Sequence, residues 1–125
     1  LEPIKPLLNA GMIFEAIVLM LNNISANSVF YKKALKLEGA VTFNQIAMKC
    51  VYEMFMNIIS EKSTGKKSKY RWLTPEVIST YYAQSLCFIT EGWIAQGMDD
   101  IEPKEMAEAY MYLITRSMDD ILSEL

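Results

Sequence analysis

The chain has 125 residues, of which 52% are hydrophobic, with five glycines, four prolines and nine methionines. That length and composition predict a single domain over residues 1–125 whose core needs no metal or disulfide, and exclude a collagen-like or loop-rich chain. A net charge of −3 argues against non-specific nucleic-acid binding by this segment, and the lack of histidine removes the usual general base and the commonest metal ligand.

Leu, Met, Ala, Glu and Lys are abundant and no stretch sustains a two-residue alternation, so the expected class is all-α, with about five helices. The first helix is predicted from about Pro6 to Ile24, with Gly11, Glu15 and Asn22 as its polar line. The polar break through Asn22, Asn23, Ser25, Asn27 and Ser28 suits a turn and a new N-cap. A short helix follows from about Asn27 to Leu37, with Gly39 as its stop.

The third helix is predicted from about Val41 to Ser60. Gln45, Lys49, Glu53, Asn57 and Ser60 share its polar side, and Phe43, Ile46, Ala47, Cys50, Val51, Met54 and Ile58 lie opposite. Met48, Tyr52, Phe55 and Ile59 widen the apolar surface beyond one stripe, which places this helix at the centre of the fold. Residues 61–73 read as a polar basic loop carrying Lys62, Lys66, Lys67, Lys69 and Arg71, a solvated connector.

Thr74-Pro75 opens the fourth helix, with Thr as N-cap and Pro at the first helical position, and Gly97 ends it. Glu102-Pro103 opens the fifth, which runs to near the C-terminus. The fourth helix carries Val77, Tyr81, Phe88, Ile78, Ser85, Gly92, Ile89, Tyr82, Trp93 and Leu86 on one wide arc, against Thr80, Gln84 and Glu91 on the wet side. The fifth carries Met106, Tyr110, Leu113, Ile114, Ser117, Met118 and Ile121. So small a domain has few elements to cover two such arcs, so a homodimer through the last two helices is expected, as an isologous four-helix bundle. The interface candidates are Tyr81, Ser85, Phe88, Ile89, Gly92, Trp93, Tyr110, Leu113, Ile114, Ser117 and Ile121. Ser85 and Gly92, small residues between aromatics, would let a partner helix approach closely.

No catalytic constellation emerges, so an enzyme is not expected, and neither is a metal or cofactor. Glu15, Glu53 and Glu91 all fall on polar sides of their helices and read as solvated carboxylates. Cys50 and Cys87 sit in apolar helical stretches and read as buried, reduced thiols. No signal peptide and no membrane-length apolar run is seen, which predicts a cytoplasmic chain without a membrane role. The methionines suit a pocket for varied apolar ligands, and the wall candidates are Met48, Tyr52, Phe55 and Met56, with Tyr82 and with Met12 or Phe14.

From Leu73 to Leu122 the order Thr74-Pro75, Phe88-Ile89, Glu91-Gly92-Trp93-Ile94, Gly97-Met98 and Glu102-Pro103-Lys104-Glu105-Met106-Ala107 resembles the C-terminal domain of TetR-family transcription regulators, of the type common in Firmicutes. Asn27 to Leu35, with Gly39 and Phe43, is similar to the family's pattern after its linking helix. The resemblance implies a regulatory domain that dimerises and binds a small apolar or amphipathic effector. Binding would then control an upstream helix-turn-helix, through which alone the protein would meet DNA. The alternative is a co-activator-like interaction module without a small-molecule ligand. The family's helix-turn-helix is missing here. Val41-Thr42-Phe43-Asn44-Gln45-Ile46-Ala47 superficially resembles part of one but lacks the Gly turn and recognition helix. With Leu1 rather than Met at the start, three readings stay open: the DNA-binding part was removed, it is disordered, or this chain never had one.

Overall fold

The computed structural model describes residues 4–36, 40–62 and 68–125. Gly39 and the loop residues Lys66 and Lys67 lie outside the described residues, as does the side chain of Phe43. Every regular element among the described residues is a helix, in the order α1 (Lys5–Asn9), α2 (Ile13–Ala26), α3 (Ser28–Lys36), α4 (Ala40–Lys62), α5 (Pro75–Ala95), α6 (Pro103–Thr115) and α7 (Met118–Glu124). The expected class holds, with seven helices among the described residues in place of about five.

Both extra breaks have local causes. Gly11 takes φ +76°, a left-handed conformation that is cheap for glycine, and divides the predicted first helix into α1 and α2. Near the other end, Arg116 and Ser117 are extended, and the Ser117 hydroxyl accepts from the Asp120 N–H at 3.1 Å as the N-cap of α7. The Tyr112 hydroxyl donates to the Glu124 carboxylate and ties α7 back to α6.

The other helix ends follow the predicted punctuation. The Thr74 hydroxyl accepts from the Val77 N–H at 3.2 Å and Pro75 opens α5. Pro103 opens α6, with Glu102 at the cap but making no side-chain capping bond. Gly97 (φ +103°) and Met98 (φ +63°) turn the chain after α5. The Trp93 indole N–H donates to the Ile101 carbonyl at 3.0 Å and closes that turn. At Asn27 the chain bends by 83° between α2 and α3. The Asn27 amide there donates to the Asn23 carbonyl at 2.8 Å and to its side-chain Oδ1 at 2.9 Å.

The core is assembled from Ala16, Ile17 and Leu21 of α2, Val51, Met54, Phe55 and Ile58 of α4, Ala83, Leu86, Trp93 and Ile94 of α5, and Ala107 and Tyr110 of α6. α4 packs chiefly on α5 and also meets α1 and α3, as its wide apolar surface predicts, while α2 packs chiefly on α6. The predicted apolar side of α4 is only partly covered, because Ile46 and Cys50 are exposed. Cys50 is thus a free, exposed thiol, contrary to the sequence expectation, and Cys87 is buried and free.

α5 departs most from the sequence reading. Its buried residues are Ser79, Ala83, Leu86, Cys87, Thr90, Trp93 and Ile94. At 100° per residue, that stripe lies opposite Tyr81, Phe88 and Gly92. Tyr81 is 67% exposed and Phe88 78% exposed. A Cβ added at Gly92 would meet nothing within 4 Å. α5 therefore has two apolar sides, one in the core and one turned outward. No single helix among the described residues is long and apolar enough to cross a membrane.

Candidate functional site

α2, α3, α4 and α5 line a half-open cavity of about 630 Å³. Its size falls in the range of small-molecule sites. Leu19, Met20 and Ile24 of α2 and Ile46, Ala47, Cys50 and Val51 of α4 supply most of the apolar wall. Leu86 and Cys87 of α5, Ile4 and Tyr31 also line it. Polar groups come from two places: Asn22 and Asn23 of α2, and Thr90 and Glu91 of α5.

Asn22 and Asn23 are exposed, whereas the α5 pair is withdrawn from solvent. Thr90 is 9% exposed, and its Oγ1 is buried with no hydrogen-bond partner. The Glu91 side chain, expected on the wet side of its helix, is half-buried and lines the cavity. Asn44 Nδ2 donates to both of its carboxylate oxygens at 2.9 Å. Because α4 crosses close to α5 here, the side of α5 that carries Glu91 faces another helix rather than water. Glu15 and Glu53 are exposed as expected. Burial, with added repulsion from Glu91 and then Cys50, pushes the Cys87 thiol up to about 11. Cys87 is therefore a poor nucleophile near neutral pH.

None of the predicted pocket residues lines this cavity. Phe55 is buried and stacks on Tyr82, with ring centroids 5.6 Å apart. Phe14, Met48 and Tyr52 are half-buried against the core, Met56 is half-buried, and Met12 caps the start of α2 in an exposed position. The expected wall is the bulky Met and aromatic edge of α4. The cavity instead uses the edge with Ile46, Ala47, Cys50 and Val51, where smaller side chains leave room. Two signals for it were present: a Thr-Glu pair inside the apolar run of α5, and the Asn22-Asn23 pair at the end of α2. Tyr82 borders a second groove, of about 690 Å³, with Trp72, Leu73, Val77, Ile78 and Tyr81. That groove is slightly larger, but no buried, unpartnered polar atom among the described residues faces it, and exposed Trp72 and Tyr81 form its rim.

The predicted interface residues divide into two groups. Trp93 (3% exposed) and Tyr110 (0%) are consumed inside the protomer, so these two assignments are corrected. The Tyr110 hydroxyl donates to the Tyr82 carbonyl at 3.0 Å and lies 3.0 Å from Ser85 Oγ, which joins α6 to α5. Tyr81, Phe88 and Gly92 of α5 and Leu113 of α6 are exposed. Ser117 is exposed and used as a cap, while Ser85, Ile89, Ile114 and Ile121 are half-buried.

The described residues thus form seven helices around a half-open, mostly apolar cavity, with an α5 that is apolar on two sides. The family model for the transcriptional regulator C-terminal region of the TetR type matches residues 12–116, and the chain belongs to that family. It is a family of regulators, not a class of enzymes. No curated protein and no solved structure shows significant similarity to the chain.

Proposed function

We propose that this domain is the sensing and pairing part of a TetR-type regulator: two copies associate, and a small apolar or amphipathic effector enters the cavity between α2, α3, α4 and α5. The observation that carries the reading is the second apolar side of α5, where Tyr81 and Phe88 project away from the core. Exposed aromatic surface of this kind marks association sites. Leu113 of α6 and Met118 and Leu122 of α7 are further exposed apolar groups near the same end of the chain. Effector binding then shifts an equilibrium between two arrangements of the pair, provided it favours one of them. DNA contact belongs to a separate helix-turn-helix.

Light scattering on the purified domain tests the pairing. A dimer at micromolar concentration is expected, and Phe88→Glu should make it monomeric without loss of helicity by circular dichroism. A wild-type monomer throughout that range would end the proposal. For the cavity, a panel of apolar and amphipathic compounds should raise the melting temperature. A panel that leaves melting unchanged counts against effector sensing.

A further inference from the structure

We propose that the cavity selects an amphiphile with a cationic, hydrogen-bond-donating head, an alkylamine in its simplest form, with the head at Glu91 and Thr90 and the chain along Leu19, Ile46 and Val51. This rests on the reading of the cavity as the effector site and adds the chemistry of its occupant.

Charge is the first ground. Among the described residues that line the cavity, Glu91 alone carries a formal charge, and no Lys or Arg faces it there. Its described partner, Asn44, is a neutral donor, so the charge is held in position but not cancelled. One amide nitrogen shared between two oxygens uses little of a carboxylate's acceptor capacity, about four lone-pair sites. The charge also reaches into the cavity, since it adds to burial in raising Cys87.

The second ground is Thr90, on the next residue of α5. The residue lines the same space, while its hydroxyl is turned away from that space, buried and without a partner. A head group with several N–H donors satisfies Glu91, and a turn of the Thr90 side chain about χ1 would bring its unpartnered hydroxyl to the same head. A carboxylate head would instead place like charges together beside a half-buried Glu91. An alcohol head supplies one donor and no charge. The remaining wall is apolar and accepts a hydrocarbon chain.

The test uses three probes of one chain length, octylamine, octanol and octanoate, below their aggregation concentrations. They are titrated by calorimetry into the wild-type domain, Glu91→Gln and Thr90→Val. Alkylation of exposed Cys50, a cavity residue, reports occupancy of the site. Octylamine should bind roughly ten- to hundredfold more tightly than octanol, the usual worth of a charge-assisted hydrogen bond, and should slow Cys50 alkylation. Glu91→Gln preserves shape and the Asn44 contact; it should erase that preference while leaving octanol binding unchanged. Thr90→Val should weaken octylamine severalfold. If octanol or octanoate binds as well as octylamine and protects Cys50, the head-group assignment is overturned while the cavity stays an effector site. If no probe binds or protects Cys50, the effector-site reading falls with it. An amine preference that survives Glu91→Gln also overturns the assignment.

Discussion

Tyr110 is the most enclosed large side chain of α6, and Tyr110→Phe tests how far its hydroxyl joins that helix to α5. Three contacts converge there: Tyr110 to the Tyr82 carbonyl at 3.0 Å, Ser85 to the same carbonyl at 2.8 Å, and Tyr110 to Ser85 at 3.0 Å. Two hydroxyl protons serve these three contacts, so two of them are fully made at once. Removing the phenol oxygen deletes one donated bond. It leaves no orphan, because Ser85 still donates to the Tyr82 carbonyl. The loss should be about 1–1.5 kcal/mol, the net worth of one buried hydrogen bond. With a urea slope of about 1.5–2 kcal/mol/M, the midpoint should fall by roughly 0.5–1 M at fixed protomer concentration. Ser85→Ala should cost about as much. The double variant should lose less than the sum, since the Ser85–Tyr110 contact is removed in both singles. The same substitution has a pH signature. Burial chiefly, partly offset by the Ser85 hydrogen bond, leaves the Tyr110 phenol raised to about 12. The unfolded chain releases that proton first, near its ordinary value of 10.0. Stability from this group is thus complete below pH 10 and is lost as pH rises through about 12. Tyr110→Phe should flatten that alkaline loss. A variant as stable as wild type, or strict additivity with Ser85→Ala, would refute the network.

Gly97→Ala should destabilise the domain by about 1–2 kcal/mol in the same urea assay, because φ +103° strains any residue with a Cβ even though the added atom would have room. Ser79→Ala should be neutral or stabilising by up to about 1 kcal/mol, as Ser79 Oγ is buried without a partner and its removal ends an uncompensated desolvation; a clear loss of stability would mean that the hydroxyl is satisfied. Iodoacetamide at pH 8 should modify Cys50 promptly and Cys87 only on unfolding, read by peptide mass spectrometry, given the exposure of the first and the raised thiol of the second. Equal labelling of the two in the folded domain would contradict the packing of α5 on α4.

The helical class, the start of α5 at Thr74-Pro75, the start of α6 at Pro103 and the turn at Gly97 were readable in the sequence, because caps, proline and glycine act through contacts within one turn of chain. Family membership was readable for a related reason: the order of those local signals survives in a linear string. Which side of α5 faces the core was decided only in three dimensions. Apolar residues lie almost all round this helix, so hydropathy does not choose a side; the core took the stripe with Ser79, Ala83 and Cys87, small groups on which a neighbouring helix can seat closely, together with Leu86, Trp93 and Ile94. That choice turned the aromatics outward, drew Trp93 and Tyr110 inward, and placed Thr90 and Glu91 against the cavity. A side chain's burial depends on the shape of what crosses it, and that shape is set by residues dozens of positions away.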